Sequence, residues 1–353
     1  MKKLNAFLFC SVVFLVASLT KANAQLVFKT TSASVIAYYE YVPPDYSSNS
    51  NKYPVMIFLH GIGERGPNTT DKNILDDYIY KVAKLGPPKF VKNGTKFPFI
   101  LIAPQLKSNY GTWPSSYVME VINHVKTYLK IDEKRIYLTG LSLGGGGVWV
   151  ASQDYPKLFA AITPVCGGYN SPSKACNLAN EDLPVWAFHG DKDTVVPLSK
   201  TVNMVNAING CMPTPNPLAK LTVYAGVAHN AWDYAYRVDH TLHNPNLYEW
   251  MMSKTNTVNG GNKIPAANAK SDLTKDLSTG SSVTITGSAT DTDGSIQSYQ
   301  WSKISGPTAT LSGTSTATLK ASSLKAGTYI FRLKVTDNSG NTDSDYVKVT
   351  VVQ

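Results

Sequence analysis

The stretch Arg135-Ile-Tyr-Leu-Thr-Gly-Leu-Ser-Leu-Gly-Gly-Gly-Gly147 decides how the chain is read. Residues 135–139 form a β-type run, and Gly140-Leu141-Ser142-Leu143-Gly144 follows it directly. A serine framed by glycines between a strand and a helix marks a tight strand-to-helix turn, where only small neighbours let the backbone fold back sharply. The helix that opens there turns its first amides and the positive end of its dipole toward the serine. Glycines 144–147 each weaken a helix by about 1 kcal/mol relative to alanine, so close packing of helix on strand must compensate. Alone, the five-residue match arises by chance in roughly one chain in ten of this length. A glycine turn with an idle serine is then the simpler reading, and the surroundings must supply the partners.

Outward from this turn, residues 26–254 alternate short apolar runs with longer amphipathic ones. Strands are expected at 35–42, 55–59, 99–103, 135–139, 161–165, 185–188 and 221–224, and helices at 74–85, 117–129, 148–153, 198–208 and 247–254. Near-continuous apolar strands indicate burial on both faces, and strand–helix alternation indicates right-handed crossovers. The expected class is α/β, a mostly parallel sheet with flanking helices whose first strand forms an antiparallel edge hairpin. Residues 255–267 are polar, hold Gly260-Gly261 and Pro265, and read as a linker. Residues 268–353 contain no His, no Cys and one Trp. Alternating runs at 282–286, 296–302, 317–320, 328–336 and 346–352, separated by turn residues, describe a small all-β sandwich.

A serine hydroxyl becomes a useful nucleophile when a base takes its proton and an acid orients the base. In strand–turn–helix sites of this kind the chain order is Ser, then Asp or Glu, then His. Asp193 lies in His189-Gly-Asp-Lys-Asp-Thr-Val-Val-Pro197, after the strand at 185–188. His229 lies in Gly226-Val-Ala-His-Asn-Ala-Trp232, after the strand at 221–224. Both fall at carboxyl ends of strands, where parallel sheets place their sites. Asp191 competes with Asp193 for the acid, but Asp193 lies deeper in the loop. His60 and His189 precede glycines at strand ends and read as loop braces, His124 sits on a helix, and His240 and His243 come late in a polar stretch.

Acyl transfer also needs donors for the oxyanion of the tetrahedral intermediate. The amide after the nucleophile, Leu143, is one candidate, and Ile62 in His60-Gly-Ile-Gly-Glu-Arg-Gly66 is the other. A bare glycine turn is the competing reading of that loop. Glu64 and Arg65 are expected to order it as an ion pair. Trp113 and Trp232, with Tyr110, are candidate substrate-lining residues, with core or loop packing as the competing role.

The remaining features bound the class. Hydrophobic content of 43% against 16% charged residues in 353 residues suits two globular domains. Lys2 and Lys3, an apolar run over 6–19 and Ala22-Asn23-Ala24 read as an export signal at 1–24, cut after Ala24, with an uncleaved anchor as the alternative. The run is short for a membrane span, so no span is expected after cleavage. Removing 1–24 takes three lysines and no acid and lowers the net charge from +9 to +6. No Lys/Arg cluster remains, which argues against a nucleic-acid partner. An exported chain meets an oxidising compartment. Cys176 and Cys211 lie in polar, loop-like stretches and are the expected pair, leaving Cys166 as a buried thiol. No paired C-x-x-C spacing points to zinc, and no metal or organic cofactor is expected.

These residues carry a resemblance. Phe58-Leu-His-Gly-Ile-Gly-Glu-Arg-Gly66, Ala103-Pro-Gln105, Ile136-Tyr-Leu-Thr-Gly-Leu-Ser-Leu-Gly-Gly145, Val185-Trp-Ala-Phe-His-Gly-Asp-Lys-Asp-Thr-Val-Val-Pro197 and His229 with Trp232 resemble the α/β-hydrolase esterases. The resemblance covers about residues 28–252 and points to the dienelactone hydrolase, phospholipase/carboxylesterase and feruloyl or acetyl-xylan esterase group. It implies Ser142 as nucleophile, Asp193 as acid, His229 as base, and Ile62 and Leu143 as oxyanion amides. Members usually carry a larger residue near Gly146. Asp291-Thr-Asp-Gly-Ser-Ile-Gln-Ser-Tyr-Gln-Trp301, Ser305-Gly-Pro307 and Gly327-Thr-Tyr-Ile-Phe-Arg-Leu-Lys-Val-Thr-Asp337 resemble a PKD-like, immunoglobulin-type domain, which implies a spacer or binding module. Asp291 and Asp293 suit an acid-capped turn better than calcium.

The expectation is therefore a signal peptide at 1–24, an α/β-hydrolase domain at 25–254, a linker at 255–267 and a PKD-like sandwich at 268–353. The chain is read as a secreted, periplasmic or cell-surface serine ester hydrolase acting on a small or polysaccharide-linked ester, such as an acyl or feruloyl ester. Carbohydrate or cell-surface contact is assigned to the C-terminal domain. A serine peptidase and a non-catalytic carbohydrate- or surface-binding protein are the alternatives.

Overall fold

The computed structural model describes residues 25–256, 265–291, 294–338, 340 and 342–353. The signal peptide read at 1–24, most of the linker and Asp293 lie outside the described residues. The N-terminal part is built on eight strands: β1 (Val27–Thr30), β2 (Ala37–Tyr41), β3 (Tyr53–Leu59), β4 (Ile100–Pro104), β5 (Ile131–Leu141), β6 (Ala161–Val165), β7 (Trp186–Gly190) and β8 (Lys220–Tyr224). They form one sheet in the order β1-β2-β4-β3-β5-β6-β7-β8. The pairings of β1 with β2 and of β2 with β4 are antiparallel, and every pairing from β4 to β8 is parallel. The antiparallel edge is therefore a hairpin of the expected strand with β1, a four-residue strand that the sequence pattern had not indicated.

Alternation along the inner strands loads both faces of the sheet. Val55, Ile57 and Leu59 of β3, with Ile100, Ile102, Ile136, Leu138 and Ile162, join one buried cluster. Met56 and Phe58, with Leu101, Ala103, Tyr137 and Phe188, join the other. The first face is covered by α3 (Ser115–Lys126), α4 (Leu143–Asp154) and α6 (Leu198–Asn209), and the second by α1 (Lys72–Ile79) and α8 (Leu247–Met252). Each inner strand thus buries two apolar rows, which is why its sequence reads as a continuous apolar run. Helix α2 (Gly86–Lys92) was not expected, and neither were the short α5 (Ala175–Ala179) and α7 (Trp232–Ala235).

The strand order also places the site. After β3 the chain steps outward to β4, then crosses back to β5 on the opposite side of β3. The loops leaving β3 and β5 diverge above the carboxyl ends of these neighbours, and such a switch point is where open parallel sheets form a crevice.

The cysteines expected to pair do so. Cys176 in α5 and Cys211 just after α6 form a disulfide across a sequence separation of 35. Loop-closure entropy for that separation corresponds to about 4 kcal/mol. Cys166 is a buried free thiol.

The C-terminal part is all β, with strands β9 (Ala266–Asn268), β10 (Leu273–Asp276), β11 (Val283–Thr286), β12 (Ser288–Thr290), β13 (Ile296–Ser305), β14 (Thr310–Ser312), β15 (Thr318–Ser322), β16 (Gly327–Asp337) and β17 (Thr342–Val352). A four-stranded sheet, β10-β17-β16-β13, and a three-stranded sheet, β11-β15-β14, enclose a core with Trp301, Phe331, Leu333, Val347 and Leu319. Every second residue of β16 is buried from Tyr329 to Asp337, the period of a strand with one face on a core. Strand β9 begins at Ala266, within the stretch read as linker.

Candidate active site

The serine turn forms as its sequence suggests. β5 ends at Leu141, α4 begins at Leu143, and Ser142 between them has φ 54° and ψ −117°. A side-chain-bearing residue at positive φ costs about 1–2 kcal/mol, and here that strain lifts the hydroxyl clear of the sheet edge. The Ser142 amide donates to Val165 O of β6 at 3.0 Å. Neighbouring glycines are required by contact. A Cβ on Gly140 would lie 2.6 Å from Gly144 O, and one on Gly144 would fall onto Leu59 O. The glycine run thus lets α4 sit directly against β3, which offsets its weak helix propensity.

The loops after β7 and β8 bring two partners to Ser142. Its Oγ lies 2.8 Å from His229 Nε2, and His229 Nδ1 lies 2.7 Å from Asp193 Oδ2. The carboxylate can only accept, so Nδ1 carries the proton and Nε2 is left to accept from the serine hydroxyl. The other carboxylate oxygen of Asp193 accepts from the amides of Val195 and Val196, both at 2.9 Å. Burial pushes the Asp193 carboxyl up, but the His229 hydrogen bond and these amides together outweigh it and hold the group below its ordinary value. The sequence reading had missed the two amides. Their signal is the local pattern Asp193-Thr-Val-Val, since an Asp side chain commonly caps the amides two and three residues on.

The rivals lie elsewhere. Asp191 is exposed and accepts from the Gly226 amide at 2.7 Å. His124 packs against Tyr38 and Tyr128, His240 contacts Glu249, and His243 contacts Tyr224. His189 braces the acid loop: its Nε2–H donates to Val196 O at 2.9 Å, lies 3.2 Å from Asp193 Oδ2, and its Nδ1 faces the Thr201 hydroxyl at 2.8 Å.

The glycine loop after β3 adjoins Ser142, since a Cβ on Gly61 would lie 3.6 Å from Ser142 Cβ. Ile62 opens the short 3-10 turn Ile62–Glu64 of this loop. Leu143 is the first residue of α4, so its amide has no acceptor within the helix. The expected Glu64–Arg65 ion pair does not form. Arg65 instead donates to three carbonyls: Ile62 O at 3.2 Å, Ser108 O at 3.2 Å and Tyr110 O at 3.0 Å. A guanidinium has five donors and can tie two loops together in this way, while Gln105 Nε2 donates to Glu64 O at 2.9 Å from behind.

Trp113 requires a correction. It is 1% exposed, sits against the Cβ position of Gly147 and donates to His60 O at 3.1 Å. It braces the loop from beneath and cannot line a pocket. Trp232 is half-buried and stands edge-on to the His229 ring, with centroids 5.2 Å apart. Cys166 also meets the Ser142–His229–Asp193 cluster, its thiol 3.3 Å from His229 O. Cys166, Asp193 and His229 offer ligand atoms within 4.8 Å of one another. Burial pushes the thiol far up, away from the thiolate a metal needs, and the Asp193–His229 bond already occupies the other two groups.

His60 makes the glycine loop after β3 sensitive to acid. Its Nδ1–H donates to Gly61 O at 2.6 Å, and its Nε2 accepts from the Leu106 amide at 3.0 Å. Burial drives the imidazole down to about 4. A second proton would sit on Nε2 and face the Leu106 N–H. The unfolded chain takes up that proton near pH 6.5 and the folded chain only near 4, so stability is full above 6.5 and falls as pH drops between the two. The loss amounts to about 3 kcal/mol by pH 4. Urea unfolding midpoints at pH 7 and pH 4.5 should therefore fall further for the wild type than for His60→Gln, and equal falls would clear His60 of the effect.

Known proteins agree with this architecture. Residues 46–237 match the family described as Phospholipase/Carboxylesterase, and residues 269–351 match the K319L-like PKD domain. A bifunctional acetylxylan esterase/xylanase of Neocallimastix patriciarum is 25% identical over 162 residues, 44% of this chain and 21% of that protein. A probable feruloyl esterase C of Aspergillus niger is 25% identical over 179 residues, 49% of this chain and 61% of that protein. The chain thus spans less than two thirds of the length of either relative. Among solved structures, the crystal structure of a thermostable esterase is 28% identical with a TM-score of 0.49, covering 67% of this chain and 64% of that one.

Proposed function

The chain belongs to the phospholipase/carboxylesterase family of α/β-hydrolases, and from that premise we propose that it is an exported serine ester hydrolase with Ser142, His229 and Asp193 as its triad. The observation that carries this reading is the unbroken hydrogen-bond line from Ser142 Oγ through both His229 nitrogens to Asp193. His229 Nε2 takes the hydroxyl proton as Oγ attacks the ester carbonyl carbon. The oxyanion that forms meets the amides of Leu143 and Ile62. His229 then returns the proton to the departing alcohol, leaving an acyl group on Ser142. Water repeats the sequence, with His229 as base, and releases the acid. Asp193 keeps the Nδ1 proton in place and stabilises the imidazolium that appears in each step.

Two relatives support a substrate class. Two of them are named for acetylxylan and feruloyl esters, and the proposed substrates are acetyl or feruloyl esters carried on polysaccharide. The segment 1–24 is proposed as the leader that exports the chain, 25–254 as the catalytic domain and 255–267 as its linker to the PKD domain at 268–353, with carbohydrate or cell-surface contact as that domain's role. Among the described residues no helix is long and apolar enough to cross a membrane.

A panel of feruloyl, acetyl and short alkyl esters, run beside peptide substrates and a fluorophosphonate label, tests the reading. Ester turnover with one label per chain, lost on Ser142→Ala, is the expected result. Peptide cleavage without ester cleavage would mark a peptidase, and absence of labelling would mark a non-catalytic protein. Either outcome sinks the proposal.

A further inference from the structure

Seven non-glycine residues of the described chain have left-handed backbone, and three of them, Ser142, Cys166 and Tyr169, fall in two turns that touch each other. Ser142 and Cys166 meet the triad directly. Tyr169 has φ 56° and no part in the triad. Its neighbours in Gly167-Gly168-Tyr169-Asn170 include residue types that adopt this conformation readily, yet a bulky aromatic occupies the strained position.

Contacts show where that ring is held. The loop after β6 runs over the first turn of α4. Gly167 backbone lies against the Cβ position of Gly145, and Gly168 O lies 2.8 Å from that of Gly146. The Tyr169 ring edge lies 3.0 Å from the same Gly146 position. A side chain at 146 would press on it and on the Gly168 carbonyl, which accounts for the glycine there. Gly146 is one turn beyond Ser142, about 5.4 Å along the helix. The Val196 side chain flanks the loop, 3.8 Å from the Cβ position of Gly168. Tyr169 remains 60% exposed, and two further apolar residues, Ile62 at 57% and Val195 at 67%, stand exposed on the loops after β3 and β7.

We propose that Tyr169 is a specificity-determining residue, a fixed aromatic face beside Ser142 on which an aromatic group of the ester stacks. Strained residues persist where the surroundings over-determine them, characteristically at ligand clamps. The glycine at 146 leaves room for one edge of the ring against α4 while the rest stays exposed, so stacking on it gains selectively for planar groups. This inference rests on the ester-hydrolase reading.

The test compares Tyr169→Gly and Tyr169→Phe in the full chain on methyl ferulate, phenyl acetate and methyl butyrate, with Ser142→Ala as control. Glycine removes the ring and relieves the backbone, so Tm should not fall. The kcat/KM preference for one or both aromatic esters over methyl butyrate should drop roughly three- to tenfold, mainly through KM. Tyr169→Phe should keep the preference. An unchanged preference in Tyr169→Gly overturns the inference, as does an equal drop in Tyr169→Phe, or a lowered Tm with all three esters affected alike. Should Ser142→Ala hydrolyse methyl butyrate like the wild type, the ester-hydrolase reading itself fails and this inference with it.

Discussion

Ser142→Ala is expected to lower kcat on a chromogenic short-chain ester by about 10⁴-fold or more, equivalent to about 5 kcal/mol of transition-state stabilisation. On the proposed mechanism the variant removes the atom that forms the acyl bond, so residual turnover would depend on water attacking an ester polarised by the Leu143 and Ile62 amides. The fold should survive. Ser142 caps α4 without a side-chain hydrogen bond to the helix, and among the described residues its hydroxyl bonds to His229 Nε2 alone. Alanine keeps the same strained backbone, so Tm should stay within about 1 °C of wild type, in line with small surface changes. Steady-state kinetics with circular dichroism melts would separate these effects. Retained turnover with an intact melt would remove Ser142 from the chemistry.

Legibility of the chain in its sequence varied with physics. The serine turn was readable because the geometry demands glycine, and Gly140 and Gly144 close onto Leu59 and each other. The placement of Asp193 and His229 on the loops after β7 and β8 was readable because a parallel sheet delivers both loops at the same end. Strand β5 was read short because Asp132-Glu-Lys-Arg135 looks like a turn, whereas the structure carries the strand back to Ile131, which pairs with Tyr53. Helix α2 was missed because Pro87-Pro88 reads as a breaker. Those prolines occupy the first turn, where no amide hydrogen bond is lost. Trp113 misled because aromatic character does not reveal which side of a loop a ring faces. Tyr169 was overlooked because backbone strain at a single residue leaves no pattern in composition or period.

Asp193→Asn should cost almost as much as loss of the nucleophile, about 10³- to 10⁴-fold in kcat, although the change is nearly isosteric. The reason lies in the amides beneath it. Val195 N–H and Val196 N–H both point at Oδ1, so an asparagine must turn its carbonyl oxygen toward them and its NH₂ toward His229. That group donates, and Nδ1 must then accept, which moves the ring proton to Nε2. A proton on Nε2 faces Ser142 Oγ, and the serine loses its base while every heavy atom stays in place. His189 Nε2–H, 3.2 Å from Asp193 Oδ2, would meet the same NH₂ and add a further donor–donor contact, so a modest loss of stability should accompany the loss of activity. Asp191→Asn provides the contrast. Its carboxylate only accepts from Gly226 at the surface, an acceptor that asparagine supplies equally, so kcat should stay within about threefold of wild type. Measuring both variants on one ester tests which carboxylate orients the base. A large loss at Asp191 with little at Asp193 would reverse the assignment.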